Sequence, residues 1–121
     1  MPAVRYIVRD VDTSRDFYLR LGFELVEQWG PAIAILALDG VQLWLSGPVS
    51  SAARAMPDGR VPSFGGWNRI VVSVVGLEAL YASLLAEGMV FRNAPLSGPG
   101  GVQVLLDDPD GNPVELFEAQ G

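Results

Sequence analysis

The chain has 121 residues, half of them hydrophobic, and a formal net charge of −6 at pH 7, which suits one domain over residues 1–121. It contains neither histidine nor cysteine, which excludes histidine-based metal sites, Ser-His-Asp and Cys-His catalysis, disulfides and zinc–cysteine sites. The eight basic residues form no cluster, which disfavours a nucleic-acid partner, and the lack of a membrane-length apolar run or a signal sequence predicts a cytoplasmic location.

The first module, residues 1–47, predicts the order β-α-β-β-β. Residues 3–9 alternate as a half-exposed strand, Asp10 to Ser14 offer helix N-cap candidates, and Gly22 should end the helix. Three further strands are predicted over residues 23–29, 32–38 and 41–46. Asp39-Gly40, between the last two, is typical of a tight hairpin turn.

Residues 48–66 interrupt this rhythm, because proline and glycine are scattered through the segment. Ser50 to Met56 could form a helical turn within it. We interpret the segment as a linker between two modules, and the alternative is a lid over a binding cleft.

The second module, residues 67–121, repeats the same order of elements. A strand is predicted over residues 67–74, a helix over 77–87 with Gly88 ending it, and three strands over 90–94, 101–106 and 113–118. The recurrence predicts an α+β fold built from two tandem βαβββ modules.

The last strand follows a tight turn at Asp108-Pro109-Asp110-Gly111. Along this strand Val114 and Leu116 would face one side of the sheet, while Glu115 and Phe117 face the other. Glu115 is therefore directed away from the main core.

This turn and strand resemble the signature Asp-Pro-Asp-Gly-Asn-x-x-Glu-Leu of the vicinal oxygen chelate superfamily, which includes glyoxalases, extradiol dioxygenases and bleomycin-resistance proteins. Residues 8–18, followed by Leu21-Gly22-Phe23, are similar to the first strand, helix and strand of that superfamily. The resemblance implies that the two modules form a curved mixed sheet around a concave cleft.

The resemblance also places the metal ligands of the superfamily at the positions of Ala3, Trp44, Arg69 and Glu115. Glu115 alone could bind a metal, and Arg69 would repel a cation. A lone carboxylate makes a poor transition-metal site. We therefore predict no metal and no cofactor, and exclude glyoxalase, dioxygenase and fosfomycin-modifying activities.

The same resemblance, with strand alternation, separates two faces of the sheets. The face toward the helices is predicted to be almost uniformly apolar, with Val4, Tyr6, Val8, Val41, Leu43, Leu45, Ile70, Val72, Val74, Val114 and Leu116. The concave face would mix aromatic and polar side chains, as small-molecule pockets do. Its candidate ligand-binding residues are Arg5, Gln42, Trp44, Trp67, Arg69, Glu115 and Phe117.

Structural roles compete with these assignments. Arg69 and Glu115 could form a buried ion pair that merely closes the cavity, since burying either charge alone is costly. Trp44 could stack on a ligand or simply fill the core.

Three functions follow. The leading interpretation is a metal-free protein, similar to the bleomycin-resistance branch, that sequesters an aromatic or cationic antibiotic in clefts shared by the two subunits of a homodimer. The second is a metal-free isomerase, epimerase or cyclase of a biosynthetic pathway, with Glu115 as general base and Arg69 stabilising an enolate or oxyanion. The third is a ligand sensor or accessory subunit without chemistry.

Overall fold

The elements follow the order predicted from the sequence, with one additional strand in the second half. The computed structural model describes residues 2–120, and the chain divides into two compact units between Phe64 and Gly65. Each unit consists of one helix and one mixed sheet, which confirms the α+β fold class. Neither helix among the described residues is long and apolar enough to cross a membrane.

Unit 1 is a four-stranded sheet in the order β1-β4-β3-β2 with the helix α1. Strand β1 is parallel to β4, and the other neighbours are antiparallel. The core of this unit is formed by apolar side chains of α1 and the strands, with Tyr18 completely buried. The elements are β1 (Ala3–Ile7), α1 (Val11–Arg20), β2 (Glu24–Trp29), β3 (Ile33–Leu38) and β4 (Val41–Ser46).

Two residues predicted for the core of unit 1 are more exposed than expected. Val4 and Val41 are 38% and 37% exposed, whereas Val8, Leu43 and Leu45 are buried as predicted. The helix packs mainly against β2, β3 and β4. Val4 on β1 and Val41 at the start of β4 therefore lie at the margin of this core.

The segment after β4 belongs to unit 1 and contains a single 3-10 turn, Ser51–Ala53. This turn is shorter than the helical turn predicted over Ser50 to Met56. Phe64 lies near the end of the segment, and the guanidinium of Arg9 lies 5.2 Å from the centroid of its ring. The role of the segment as a linker or a lid stays a prediction.

Unit 2 is a sheet in the order β5-β9-β8-β6, with β7 beside β8 and β5 parallel to β9. Its core lies between α2 and one face of the sheet, where Leu77 and Leu84 are buried together with Val72, Val104, Leu106, Val114 and Leu116. The elements are β5 (Ile70–Ser73), α2 (Leu77–Ala86), β6 (Val90–Phe91), β7 (Leu96–Gly98), β8 (Gly101–Asp107) and β9 (Pro113–Ala119).

The strand predicted over residues 90–94 is wrong in its length, and β7 was not predicted. After Phe91 the side-chain Oδ1 of Asn93 accepts a hydrogen bond from the backbone N–H of Leu105 at 2.8 Å, in place of a backbone carbonyl. Pro95 has no N–H to donate to a ladder. The chain therefore leaves β8 at this point and rejoins it as β7, whose Leu96 pairs with Gln103.

The strand predicted over residues 67–74 begins three residues late, at Ile70. Its partner β9 starts at Pro113, and the first residue pair is Ile70 with Val114. The residues before Ile70 face a turn rather than a strand, so they have no ladder to join. Trp67 and Arg69 consequently lie in a lead-in to β5 rather than within it.

The N-terminus of α2 is capped from another element. Gly76 occupies the N-cap position without a side chain, and the carboxylate of Glu118 on β9 accepts hydrogen bonds from the N–H groups of Leu77 and Gly76, each at 2.9 Å. Both bonds lower the pKa of Glu118 from its ordinary value of 4.5, and the bond from Leu77 has the larger effect. The carboxylate therefore stabilises the folded state only while it is ionised.

We expect this cap to be lost in acid. The folded-state pKa of Glu118 lies below the unfolded one, so its contribution is present above about pH 4.5 and disappears as the pH falls through the lowered pKa. Urea denaturation at pH 7 and pH 3 should show Glu118→Gln destabilised relative to wild type at pH 7 and less so at pH 3. Glu78→Gln, which also removes a charge near the start of α2, is the control. A Glu118→Gln deficit that is the same at both pH values would contradict the assignment.

Candidate functional site

The centre of the site in unit 2 is an ion pair between Arg69 and Glu115. The Nε and Nη2 atoms of Arg69 donate to Oε1 of Glu115 at 3.1 and 2.9 Å, and Nη1 donates to the carbonyl of Trp67 at 3.3 Å. Glu115 is only 7% exposed, so its charge needs this partner. The contact fixes the lead-in residues 67–69 against β9.

The side chains at the family's metal-ligand positions do not fit a transition metal. Ala3 and Trp44 offer no suitable donor, Arg69 is a cation, and Glu115 is engaged by Arg69. Among residues 2–120, no three His, Cys, Asp or Glu side chains converge into a possible metal group. These four side chains therefore supply too few free donor atoms to hold a transition metal, and no reaction step through such a metal is derived from them.

Strand pairing places the predicted residue Phe117 and several further side chains on the same face as this ion pair. Val71 is opposite Glu115, which is opposite Leu105, and Ser73 is opposite Phe117, which is opposite Gln103. Paired residues and residues two apart share one face of a sheet. We call this surface the binding face of unit 2: Val71, Ser73, Gln103, Leu105, Glu115 and Phe117.

A buried turn supports the lead-in to β5 from the other side. Oδ1 of Asp108 accepts from the N–H groups of Asp110 and Asn112, both at 2.8 Å, and its Oδ2 accepts from Nδ2 of Asn112 at 3.0 Å. Oδ1 of Asn112 in turn accepts from the N–H of Gly65 at 2.8 Å. The Asp-Pro-Asp-Gly-Asn sequence therefore fixes the start of unit 2 as well as its own turn.

Trp67 is the most accessible aromatic residue of this site, with 68% of its surface exposed. The guanidinium of Arg92 lies 4.5 Å from its ring centroid. Arg92 also donates to the carbonyls of Gly66 and Gly111 at 2.9 and 3.1 Å and forms an ion pair with Asp107 at 2.6 Å. One face of the Trp67 ring is therefore held by a cation that is itself fixed by three partners.

Arg92 was not among the site residues predicted from the sequence. Its only sequence signal is an isolated arginine after the apolar pair Val90 and Phe91. Alternation along a strand does not show that this side chain reaches Gly66, Gly111 and Trp67, because those contacts join three separate parts of the chain.

Unit 1 brings together Arg5, Gln42 and Trp44. Arg5 on β1 is paired with Trp44 on β4, and its guanidinium lies 5.1 Å from the Trp44 ring centroid. Nε1 of Trp44 donates to Oε1 of Gln42 at 3.0 Å, and Nη1 of Arg5 donates to Oγ of Ser46 at 2.9 Å. Trp44 is half-buried. Each unit therefore contains one tryptophan whose ring is covered on one side by an arginine.

A family model described as the Glyoxalase/Bleomycin resistance protein/Dioxygenase superfamily matches residues 1–116 of the chain. No curated protein matches the sequence.

Solved structures show the same fold over nearly the whole chain. A member of the glyoxalase/bleomycin resistance protein/dioxygenase superfamily from Sphaerobacter thermophilus DSM 20745 is 30% identical, with a TM-score of 0.76 and coverage of 98% of this chain and 95% of that one. TnmS3, an antibiotic binding protein from Streptomyces sp. CB03234, is 25% identical, with a TM-score of 0.73 and coverage of 98% and 93%. A lactoylglutathione lyase from Agrobacterium tumefaciens shares the fold at 20% identity, with a TM-score of 0.70 and coverage of 98% and 92%. The chain belongs to the glyoxalase/bleomycin resistance protein/dioxygenase superfamily.

Proposed function

We propose that this protein binds an aromatic, antibiotic-like small molecule without a metal ion and protects by sequestering it. The observation that carries the proposal is the pair of tryptophans, Trp44 and Trp67, each held by an arginine at 5.1 and 4.5 Å from its ring centroid. An indole fixed in this way loses little freedom when a planar ligand stacks on it, and pre-organisation of this kind favours affinity.

The likeness to TnmS3 supports the antibiotic-like ligand, because that protein is an antibiotic binding protein and is 25% identical over nearly the whole chain. The net charge of −6 adds weak long-range attraction for a cationic group on the ligand. The Arg69–Glu115 pair supports the metal-independent part of the proposal. Glu115 is the one carboxylate at the family's metal-ligand positions, and its partner is Arg69 of the same chain.

Truncation of either tryptophan should weaken ligand binding. We expect Trp44→Ala and Trp67→Ala each to lower affinity by about 1–2 kcal/mol, roughly 5- to 30-fold, the range for an aromatic anchor. Isothermal titration with bleomycin-like and other polycyclic antibiotics would measure this without relying on fluorescence from the removed residue. Trp29→Ala is the matched control, since Trp29 is 52% exposed on β2 and belongs to neither candidate site. Equal losses in all three variants would contradict the assignment.

The second candidate is a metal-free isomerase, epimerase or cyclase that uses Glu115 as general base. The observation in its favour is the buried carboxylate with a guanidinium 2.9 Å away, which could stabilise a developing oxyanion. In that case Glu115→Gln would retain the ligand but lose turnover by a factor of about 10² or more. Mass spectrometry of the compound recovered from wild type and Glu115→Gln separates the two candidates, because sequestration returns it unchanged from both.

We also propose that the protein is a homodimer. Large apolar side chains remain exposed on the edge strand β2, namely Leu25 and Val26, and a two-fold interface would cover such a patch on both copies. Sedimentation at micromolar concentration should give twice the chain mass of 13.0 kDa. A monomer under these conditions would contradict it. A cytoplasmic location stays a prediction from the sequence.

A further inference from the structure

A small cavity lies at the tip of the hairpin formed by β7 and β8 in unit 2. Its volume is about 200 Å³, and we call it the hairpin pocket. Its lining is Leu96, Ser97, Gly98, Pro99, Gly100, Gly101, Gln103 and Phe117. Because Gln103 and Phe117 belong to the binding face of unit 2, the pocket opens on the same side of the sheet as Glu115.

The glycine-rich turn is what brings the hairpin against Phe117. A side-chain carbon added at Gly100 would lie 3.8 Å from Cζ of Phe117, and the carbonyl of Gly100 accepts from the N–H of Gln120 at 3.0 Å. Gly101 has φ +151°, and a side-chain carbon there would lie only 2.1 Å from the carbonyl oxygen of Glu118. Glycine is therefore required at position 101, because any side chain there would clash with the backbone of β9.

The chemistry of the lining is neutral. Phe117 and Leu96 supply apolar surface, and no lining residue carries a charge. Within residues 2–120, the side-chain amide of Gln103 has no hydrogen-bond partner, so both its donor and its acceptor are available. The pocket therefore combines an apolar wall with one polar edge that can hydrogen-bond.

The size of the pocket restricts what it can hold. About 300 Å³ is the lower end for a drug-sized ligand, whereas an apolar cavity of roughly 150 Å³ accepts benzene. A volume of about 200 Å³ thus suits one ring and not a polycyclic system.

We infer that the hairpin pocket binds a neutral, six-membered ring bearing a hydroxyl or carbonyl group, with Phe117 against the ring and Gln103 hydrogen-bonded to the oxygen. This inference rests on the proposed function, because it names the part of the ligand that reaches the end of the binding face. Charged groups of the ligand would lie outside the pocket, because burying an unpaired charge inside it would be costly.

The probe is phenol, followed by the side-chain amide signals of Gln103 in NMR spectra of the full chain. Phenol should shift these signals saturably, and benzoate and benzylammonium should bind at least about fivefold more weakly because their charges would lose water without gaining a partner. Gln103→Leu should weaken phenol binding about three- to tenfold, as loss of one net hydrogen bond would, with backbone amides of β9 as the reporter. Gln120→Leu, an exposed glutamine outside the pocket, should bind phenol as wild type does.

A second variant blocks the pocket. Gly98 pairs with Gly101 and a side chain built there would meet no heavy atom within 4 Å, so Gly98→Leu should fold and fill the cavity. We expect it to abolish the phenol shifts. Unmoved hairpin signals in wild type, or unchanged phenol binding in Gln103→Leu, would overturn the inference.

The inference and the proposed function can fail separately. If phenol does not bind but polycyclic antibiotics still bind through Trp44 and Trp67, the hairpin pocket assignment is wrong and sequestration stands. If phenol binds as described but no polycyclic antibiotic does, the pocket assignment is supported and the sequestration proposal is wrong.

Discussion

Asp108→Ala is expected to destabilise unit 2 by about 2–4 kcal/mol, because it leaves two buried backbone N–H groups, those of Asp110 and Asn112, without an acceptor. Each such group costs about 1–3 kcal/mol, and partial access of water to the altered turn reduces their sum. Asp108 is 4% exposed in the folded chain, so water cannot replace the carboxylate without a rearrangement of the turn.

Urea denaturation followed by circular dichroism would measure the loss. Asp58→Ala is the control, because Asp58 lies in an exposed loop. Its side chain is 53% exposed and that of its ion-pair partner Arg60 is 84% exposed, and such exposed pairs contribute little to stability. If the free energies of unfolding of Asp108→Ala and Asp58→Ala differed by less than about 0.5 kcal/mol, the turn would not have the structural role assigned to it.

Removal of Arg69 should have the second largest effect on stability. Arg69→Met removes the guanidinium that pairs with Glu115, whose side chain is only 9% exposed. Breaking a fully buried pair costs about 3–5 kcal/mol, and because the Arg69 side chain is 30% exposed we expect about 1–3 kcal/mol here.

The decisive comparison is with the double variant Arg69→Met, Glu115→Leu. Since most of the cost comes from an unpaired buried charge, removing that charge as well should recover at least half of the lost stability. Arg54→Met, at an exposed position with no ion pair among residues 2–120, controls for loss of a cation. A double variant less stable than Arg69→Met would contradict this account of the pair.

The parts of the fold that the sequence predicts well are those set by local patterns. Helix α1 begins after Asp10, whose carboxylate accepts from the N–H of Thr13, and Gly22 follows its end with φ +102°. The hairpin at Asp39-Gly40 also appears as predicted, with both residues at positive φ. Capping and turn residues act within a few positions of themselves, so their signals are readable in the sequence.

The parts that sequence patterns did not reveal depend on contacts between distant residues. Glu118 caps α2 from β9, and Asn93 replaces a backbone carbonyl for Leu105 on another strand. Neither contact changes the alternation of apolar residues along a strand. The predicted strand over residues 67–74 was too long for a related reason, since its ladder begins only where it meets β9, at the pair Ile70 and Val114.

The candidate site divides in the same way. Strand alternation placed Glu115 and Phe117 on one face, and the structure has them on the same face as Gln103 and Val71. Arg92 and the hairpin pocket were missed because they depend on how the turn at Asp108–Asn112 and the β7–β8 hairpin approach other strands. Identification of the site residues as ligand contacts stays a prediction until binding is measured.

The most direct test of metal-independent sequestration is tryptophan fluorescence titration of chelator-treated Trp29→Phe protein with polycyclic antibiotics, followed by mass spectrometry of the recovered compound. With Trp29 removed, the signal comes from Trp44 and Trp67 alone, since the chain has three tryptophans. We expect saturable quenching that added divalent metal does not change, and recovery of the compound intact. Quenching that appears only after a metal is restored, or recovery of a compound altered by wild type but not by Glu115→Gln, would contradict it.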